Sequence, residues 1–177
     1  MSTTEQTRTL PTGTWAADPV HSEIGFSIDY MAGTFRGTFS KFDATVGDGR
    51  LQGSAEVASV QVKDPNLEAH LQSPEFFDAE RNPQLSFASK DVQYNGNEVT
   101  IDGEITIKGQ TQPIVFTGTI VDPIADPFGN ERFGLKLAGN LDRTRFGVTW
   151  NNPLPTGEPA LSNEVELVAE LQLVKSS

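Results

Sequence analysis

The sequence predicts an all-β domain built on an antiparallel sheet, and three observations predict it. Apolar side chains recur at every second position in stretch after stretch, turn-forming residues separate the stretches, and no run of useful length carries a helical period. Strands at hairpin spacing form either a barrel or a sandwich.

The first strands are expected near Thr14–Asp18 and Glu23–Tyr30, followed by Thr34–Val46 and Leu51–Val62. In the third, Phe35, Gly37 and Phe39 share one parity and Phe42 takes the other. Leu85 and Phe87 likewise give way to Val92 and Tyr94 in the strand near Leu85–Tyr94. A parity switch within one strand predicts a bulge, which bends and twists a sheet as closure requires.

The next strands are cleaner. From Val99 to Ile107 the odd positions are apolar or small and most even ones polar. Ile114, Phe116, Gly118 and Ile120 repeat the pattern on even positions, and Phe133, Leu135, Leu137, Gly139 and Leu141 return it to odd ones. Val165, Leu167, Ala169, Leu171 and Leu173 complete the series. Residues two apart on a strand share a face, so each of these is a half-buried strand. The turns are Gly47-Asp48-Gly49, Asn95-Gly96-Asn97 and the Asp126–Asn130 segment.

One insert interrupts the strands. Between Lys63 and Pro83, Pro65, Pro74 and Pro83 forbid a continuous strand. The insert has room for a short helix around Asn66–Leu71 and a turn around Glu75–Asp78. Residues 1–13 read as a flexible N-terminal tail and 14–177 as a single domain, with no linker and no internal repeat.

Strand length bears on function. Asn97 to Ile107 spans eleven residues, about 36 Å at ~3.3 Å per residue, or roughly twice the usual strand. Small residues at Gly53, Ala55, Gly103, Gly118, Gly139 and Ala169 interrupt the apolar runs. Large aromatics with gaps between them leave a long apolar tunnel, or else the large and small residues interdigitate into a solid core. Pattern alone favours neither.

Composition excludes several classes of function. With no Cys, the chain has no disulfides, thiolate catalysis or cysteine metal site. A formal net charge of −11 repels phosphate backbones and anionic membranes, so no nucleic acid is expected as partner. No stretch reaches the ~20 apolar residues of a membrane helix. The polar start from Met1 to Arg8 lacks the apolar run of a signal peptide. Taken as the native start it implies a cytoplasmic protein; a chain whose leader had been removed, periplasmic or secreted, would begin the same way.

Catalytic templates mostly fail. No Gly-x-Ser-x-Gly elbow is present. The Gly47–Gly53 stretch mimics a dinucleotide loop, but Gln52 stands where the third Gly belongs, in a hairpin context. His21 and His70 are the only histidines, far apart, and neither has a second His three to five positions away, so no metal site is expected. The run Asp18, Pro19, Val20, His21, Ser22 reads as a turn opened by Asp-Pro rather than a catalytic group, since strand neighbours face opposite ways. His21 remains available to a ligand's polar head. Phe76 and Phe77 are consecutive in an irregular segment and cannot share a strand face. One of them can plug a barrel while the other packs outside.

Taken in order, five motifs resemble the YceI family of polyisoprenoid-binding, lipocalin-like proteins. They are Trp15-x-x-Asp18-Pro19-x-His21-Ser22-x-Ile24-x-Phe26; Phe35-x-Gly37-x-Phe39-x-x-Phe42-Asp43; and His70-Leu71-x-Ser73-Pro74-x-Phe76-Phe77-Asp78 with Pro83-x-Leu85-x-Phe87-x-Ser89. Ile105-Thr-Ile107-Lys-Gly109-x-Thr111-x-Pro113 and Arg143-x-x-Phe146-Gly147 with Trp150-Asn151 complete the set, which runs from about Thr14 to Val174. The chain departs from the family pattern at Tyr30 and Met31, at Glu68-Ala69, and at Arg145.

The resemblance implies an extended antiparallel eight-stranded lipocalin-like barrel with one short helical insert. It implies a long-chain lipid, a polyisoprenoid or isoprenoid quinone, bound in the interior without catalysis for transport or storage, and a homodimer. No catalytic cofactor is expected. Parity and motifs together nominate Phe26, Ile28, Phe35, Phe39, Phe87, Ile105, Phe116 and Phe146 as lining, Phe76 and Phe77 as a lid, and His21 as a head-group contact. Two other readings stand beside it. One is a lipocalin-like enzyme with His21 or His70 as base, and the other is a packed barrel acting through its surface.

Overall fold

The computed structural model describes residues 6–7 and 10–176. In chain order its strands are β1 (Gln6–Thr7), β2 (Thr14–Ala17), β3 (Glu23–Tyr30), β4 (Gly33–Phe39), β5 (Phe42–Gly47), β6 (Arg50–Glu56) and β7 (Val60–Gln61). The one α-helix among the described residues, α1 (Pro65–Gln72), follows. Then come β8 (Gln84–Asn95), β9 (Glu98–Ile107), β10 (Gln110–Ala125), β11 (Glu131–Asp142) and β12 (Leu161–Ser176). Two short 3₁₀ turns stand at Val57–Ser59 and Arg143–Phe146.

All pairings are antiparallel, and eight strands close a ring in the order β2, β5, β6, β8, β9, β10, β11, β12. β12 closes it. One flank pairs with β11 from Glu164 to Val174. The other pairs first with β3, over Leu161–Glu170, and then with β2, over Leu173–Ser176.

Both expected parity switches have structural counterparts. The first falls at Ser40–Lys41, where the anticipated Thr34–Val46 strand divides into β4 and β5. There Ser59 Oγ accepts from Lys41 N at 3.0 Å and Ser59 O from Ser40 N at 3.1 Å. Opposite this break the Val57–Ser59 turn divides β6 from β7. The second is a register shift in the β8–β9 pair between Ser89 and Asp91. Bulges of this kind increase local bending.

The paired breaks fork the wall. β6 goes on to pair with β8, whereas β7 pairs with β4 alone among the described residues. The gap between β7 and β8 falls where the proline-rich insert lies, and α1 occupies it. Asp64 caps α1 by accepting from Asn66 N at 2.9 Å, and Pro65 fits the first turn, which needs no N–H. At the other end Ser73 Oγ donates to His70 O at 2.6 Å, and Pro74 prevents continuation. Glu68 accepts from Val62 N, and Lys108 Nζ donates to Pro74 O, tying the insert to the barrel on both sides.

The end away from α1 is packed solid. Trp15, Val46, Ile101, Phe133 and Leu173 are each at most 2% exposed, and the Trp15 indole donates to Thr12 O. Of the stretch read as a tail, residues 1–5, 8 and 9 lie outside the described residues. Gln6–Thr7 pairs with β8, and Leu10 is 1% exposed with its N–H donated to Gly49 O.

Candidate ligand-binding cavity

A cavity of about 420 Å³ occupies the helix-covered end of the barrel. β12 shows where it stops. Val165 and Leu167, on the inward face near the helix, line the cavity and are only half-buried, whereas Leu171 and Leu173 further along are 3% and 0% exposed. The same parity meets empty space at one end and packed side chains at the other.

Seven of the nominated residues come together here. β3 contributes Phe26 and Ile28, β4 contributes Phe35 and Phe39, the segment after α1 contributes Phe76 and Phe77, and the second 3₁₀ turn contributes Phe146. Phe77 stands edge-on to Phe26 and Phe39, with ring centroids 6.4 and 6.1 Å away. Phe76 packs at 4.8 Å from the His70 ring and 5.4 Å from Trp150. Both phenylalanines therefore face the cavity, where the sequence suggested that one would pack outside.

Four nominated residues lie elsewhere. His21 is exposed on the β2–β3 connection, with Nδ1 2.6 Å from Asp18 Oδ2. Arg132 also reaches Asp18, at 3.4 Å, and reaches Asp126 at 2.8 Å. This is an ion cluster outside the cavity, with the Asp18, Arg132 and Asp126 side chains largely buried and His21 exposed. The hydrogen bond from His21 is the largest influence holding Asp18 below the usual carboxylate range, while Asp126 is held low chiefly by the Asn130 N–H.

Ile105 and Phe116 are buried away from the cavity instead, and Phe87 is half-buried against Phe116. Phe87 meets Phe116 edge-on at 5.1 Å. A Cβ on Gly103 would come within 2.6 Å of the Phe87 ring, and one on Gly139 within 2.9 Å of the Phe116 ring. Two of the glycines that the pattern offered as gaps, Gly103 and Gly139, are thus roofed by aromatic rings from neighbouring strands, while Gly118 lies against the Lys136 backbone. The void is consequently a chamber at one end and not a tunnel along the axis.

Several wall residues were not among those nominated from the sequence as lining. α1 contributes Leu67, His70 and Leu71, and the loop before β12 contributes Trp150. His70 Nε2 lies 2.7 Å from Glu75 Oε2. Asp64, Asn66 and Tyr30 add polar atoms among the lining residues.

Arg143 also lines the cavity and is 3% exposed. Nε donates to Ser162 O, and Nη1 to Val148 O and Trp150 O, each at 2.8 Å. It thereby pins the cavity loop to the start of β12. Burial weakens its hold on the proton, and the adjacent Asp142 opposes that effect. A guanidinium nonetheless stays cationic. Its place in the Arg-x-x-Phe-Gly motif was a signal that it mattered, but the sequence does not show that this Arg turns inward. Among the described residues no cluster of three or more His, Asp or Glu is arranged to hold a metal.

A family model for the YceI-like domain matches residues 15–173. The chain belongs to the YceI family. It is 30% identical over 168 residues to a UPF0312 protein of Staphylococcus epidermidis, covering 88% of this chain and 94% of that protein. Protein YceI of Salmonella newport is 28% identical over 163 residues, covering 88% and 82%. Solved YceI-like barrels share the fold. Burkholderia cenocepacia BcnA superposes with a TM-score of 0.70 at 21% identity, over 90% of this chain and 99% of its own. A polyisoprenoid binding domain from Saccharophagus degradans superposes with a TM-score of 0.65 at 10% identity, over 94% and 100%. The eight-stranded barrel with a helical insert is thus a YceI barrel, and the fork filled by α1 is where this member carries its cavity.

Proposed function

We propose that this YceI-family chain binds a single-chain isoprenoid or similar amphiphilic lipid in the helix-covered chamber and does no chemistry on it. The observation that carries the reading is the wall itself, with seven aromatic or aliphatic side chains of the nominated set converging on one void. Burying an apolar chain there supplies about 25 cal/mol per Å² without any polar anchor. That the Saccharophagus degradans neighbour is a polyisoprenoid binding domain supports the class of ligand. Polyprenyl and quinone-type lipids both belong to it, and transport or storage by a homodimer is part of the same proposal.

At about 420 Å³ the chamber lies toward the lower end of the roughly 300–1,000 Å³ typical of small-molecule pockets, so a long polyprenyl chain leaves part of its length outside or displaces α1 and Phe77.

A binding role is favoured over an enzymatic one by the placement of the two histidines. His21 lies outside the cavity, and His70 Nε2 is already engaged by Glu75. Native mass spectrometry of gently purified protein, followed by uptake of farnesol and geranylgeraniol into the delipidated chain, tests the proposal. The expected result is a bound lipid released chemically unchanged and saturable uptake of both alcohols. A chain that is empty as isolated and takes up neither overturns it.

A further inference from the structure

Arg143 has hydrogen-bonding capacity that the protein leaves unused. A guanidinium carries five N–H donors in one rigid plane. Three are spent on the carbonyls of Ser162, Val148 and Trp150. The remaining two are both on Nη2, the buried side-chain polar atom without a partner among the described residues.

The charge is unmatched as well. The ion pairs among the described residues do not include Arg143. Asp142 adjoins it in sequence, but that carboxylate accepts from Thr144 N and Oγ1 and caps the 3₁₀ turn. Of the other titratable groups lining the cavity, Asp64 is committed to capping α1 and His70 to Glu75. A buried cation and an unmade hydrogen bond are both costly when left uncompensated, so a ligand that supplies a negative oxygen gains on both counts.

We propose that Nη2 of Arg143 receives an anionic oxygen at the polar end of the bound amphiphile, with the tail in the apolar chamber against Phe26, Phe39 and Phe77. This rests on the lipid-binding reading above and narrows it to anionic single-chain lipids. The geometry also limits the grip. Both free N–H groups belong to one nitrogen, so the two-nitrogen fork that takes both oxygens of a carboxylate is unavailable. A single oxygen is held, and carboxylates and phosphates share that chemistry.

The test uses the delipidated full chain and four submicellar twelve-carbon probes at pH 8: dodecanoate, dodecyl phosphate, dodecan-1-ol and methyl dodecanoate, titrated by calorimetry. Both anions are expected to bind at least tenfold more tightly than the alcohol and the ester, as a charge-assisted hydrogen bond implies. The order of the two anions then tells a carboxylate head from a phosphate head. Arg143→Met is expected to bind all four alike. That variant also frees three carbonyls, so its fold is checked by circular dichroism, and the head-group series on the unaltered chain decides by itself. Equal binding of all four probes to the unaltered chain overturns the Arg143 assignment and leaves the apolar chamber standing. Binding of none overturns both.

Discussion

The indole of Trp15 meets the ring of Phe133 edge-on, with centroids 4.8 Å apart and planes at 85°. The pair joins β2 to β11 across the barrel and helps close the end remote from α1. Phe133→Ala is expected to cost about 3–5 kcal/mol, the range for removing a buried aromatic. Urea unfolding followed by circular dichroism measures it. Because Phe133 does not line the cavity, farnesol affinity should hold wherever the variant is folded.

Gly103 on β9 faces the Ala88 carbonyl of β8, and a Cβ there would stand 2.4 Å from that oxygen and 2.6 Å from the Phe87 ring. Gly103→Ala should therefore destabilise the protein by about 1–3 kcal/mol through overpacking. Gly33→Ala is the control, since nothing lies within 4 Å of a Cβ at Gly33. A similar midpoint for the two variants would argue against the roofed-glycine account.

Phe77 spans the space between the insert and the β3–β4 wall through its contacts with Phe26 and Phe39. Phe77→Ala should enlarge the chamber and speed ligand release several-fold, with a smaller stability loss than Phe133→Ala because Phe77 is only half-buried. Stopped-flow tryptophan fluorescence reads the release. Trp150 lines the cavity while Trp15 is 1% exposed in the packed end, so the signal should vanish in Trp150→Phe.

The partly buried cluster of Asp18, Arg132 and Asp126 makes an acid-stability prediction. Both carboxyls are held below their ordinary value of 3.8 in the folded state. A carboxylate with a depressed folded pKa lends stability above its unfolded pKa and loses it as pH falls through the folded one. Arg132→Met removes a partner of each carboxyl. Thermal unfolding between pH 6 and pH 2.5 should show the unaltered chain more stable at the upper end, with that margin shrinking below about pH 4. A margin independent of pH would remove the cluster from the explanation.

Much of this molecule is legible along the chain because strands are written locally. Alternation from Val99 to Ile107 becomes an unbroken alternation of burial in β9, and the proline-bounded insert becomes α1. The Phe39-to-Phe42 parity switch even marks where β4 breaks from β5. The cavity was harder to read. Phe26 and Phe87 look alike in sequence, each an aromatic on an alternating strand. Phe26 faces the chamber, whereas Phe87 is set against Phe116 and Gly103. Arg143 was visible within its motif, yet its inward turn depends on three carbonyls supplied by Val148, Trp150 and Ser162.

By itself the sequence determined that the chain makes an antiparallel β domain with one short helix and an aromatic interior, because period and turn chemistry act between residues a few positions apart. Only the tertiary structure decided that the interior is hollow at one end and solid at the other. That outcome depends on which ring lies over which glycine across neighbouring strands, and on the fork where β7 leaves β6. Such contacts join residues far apart in the chain, and no local pattern encodes them.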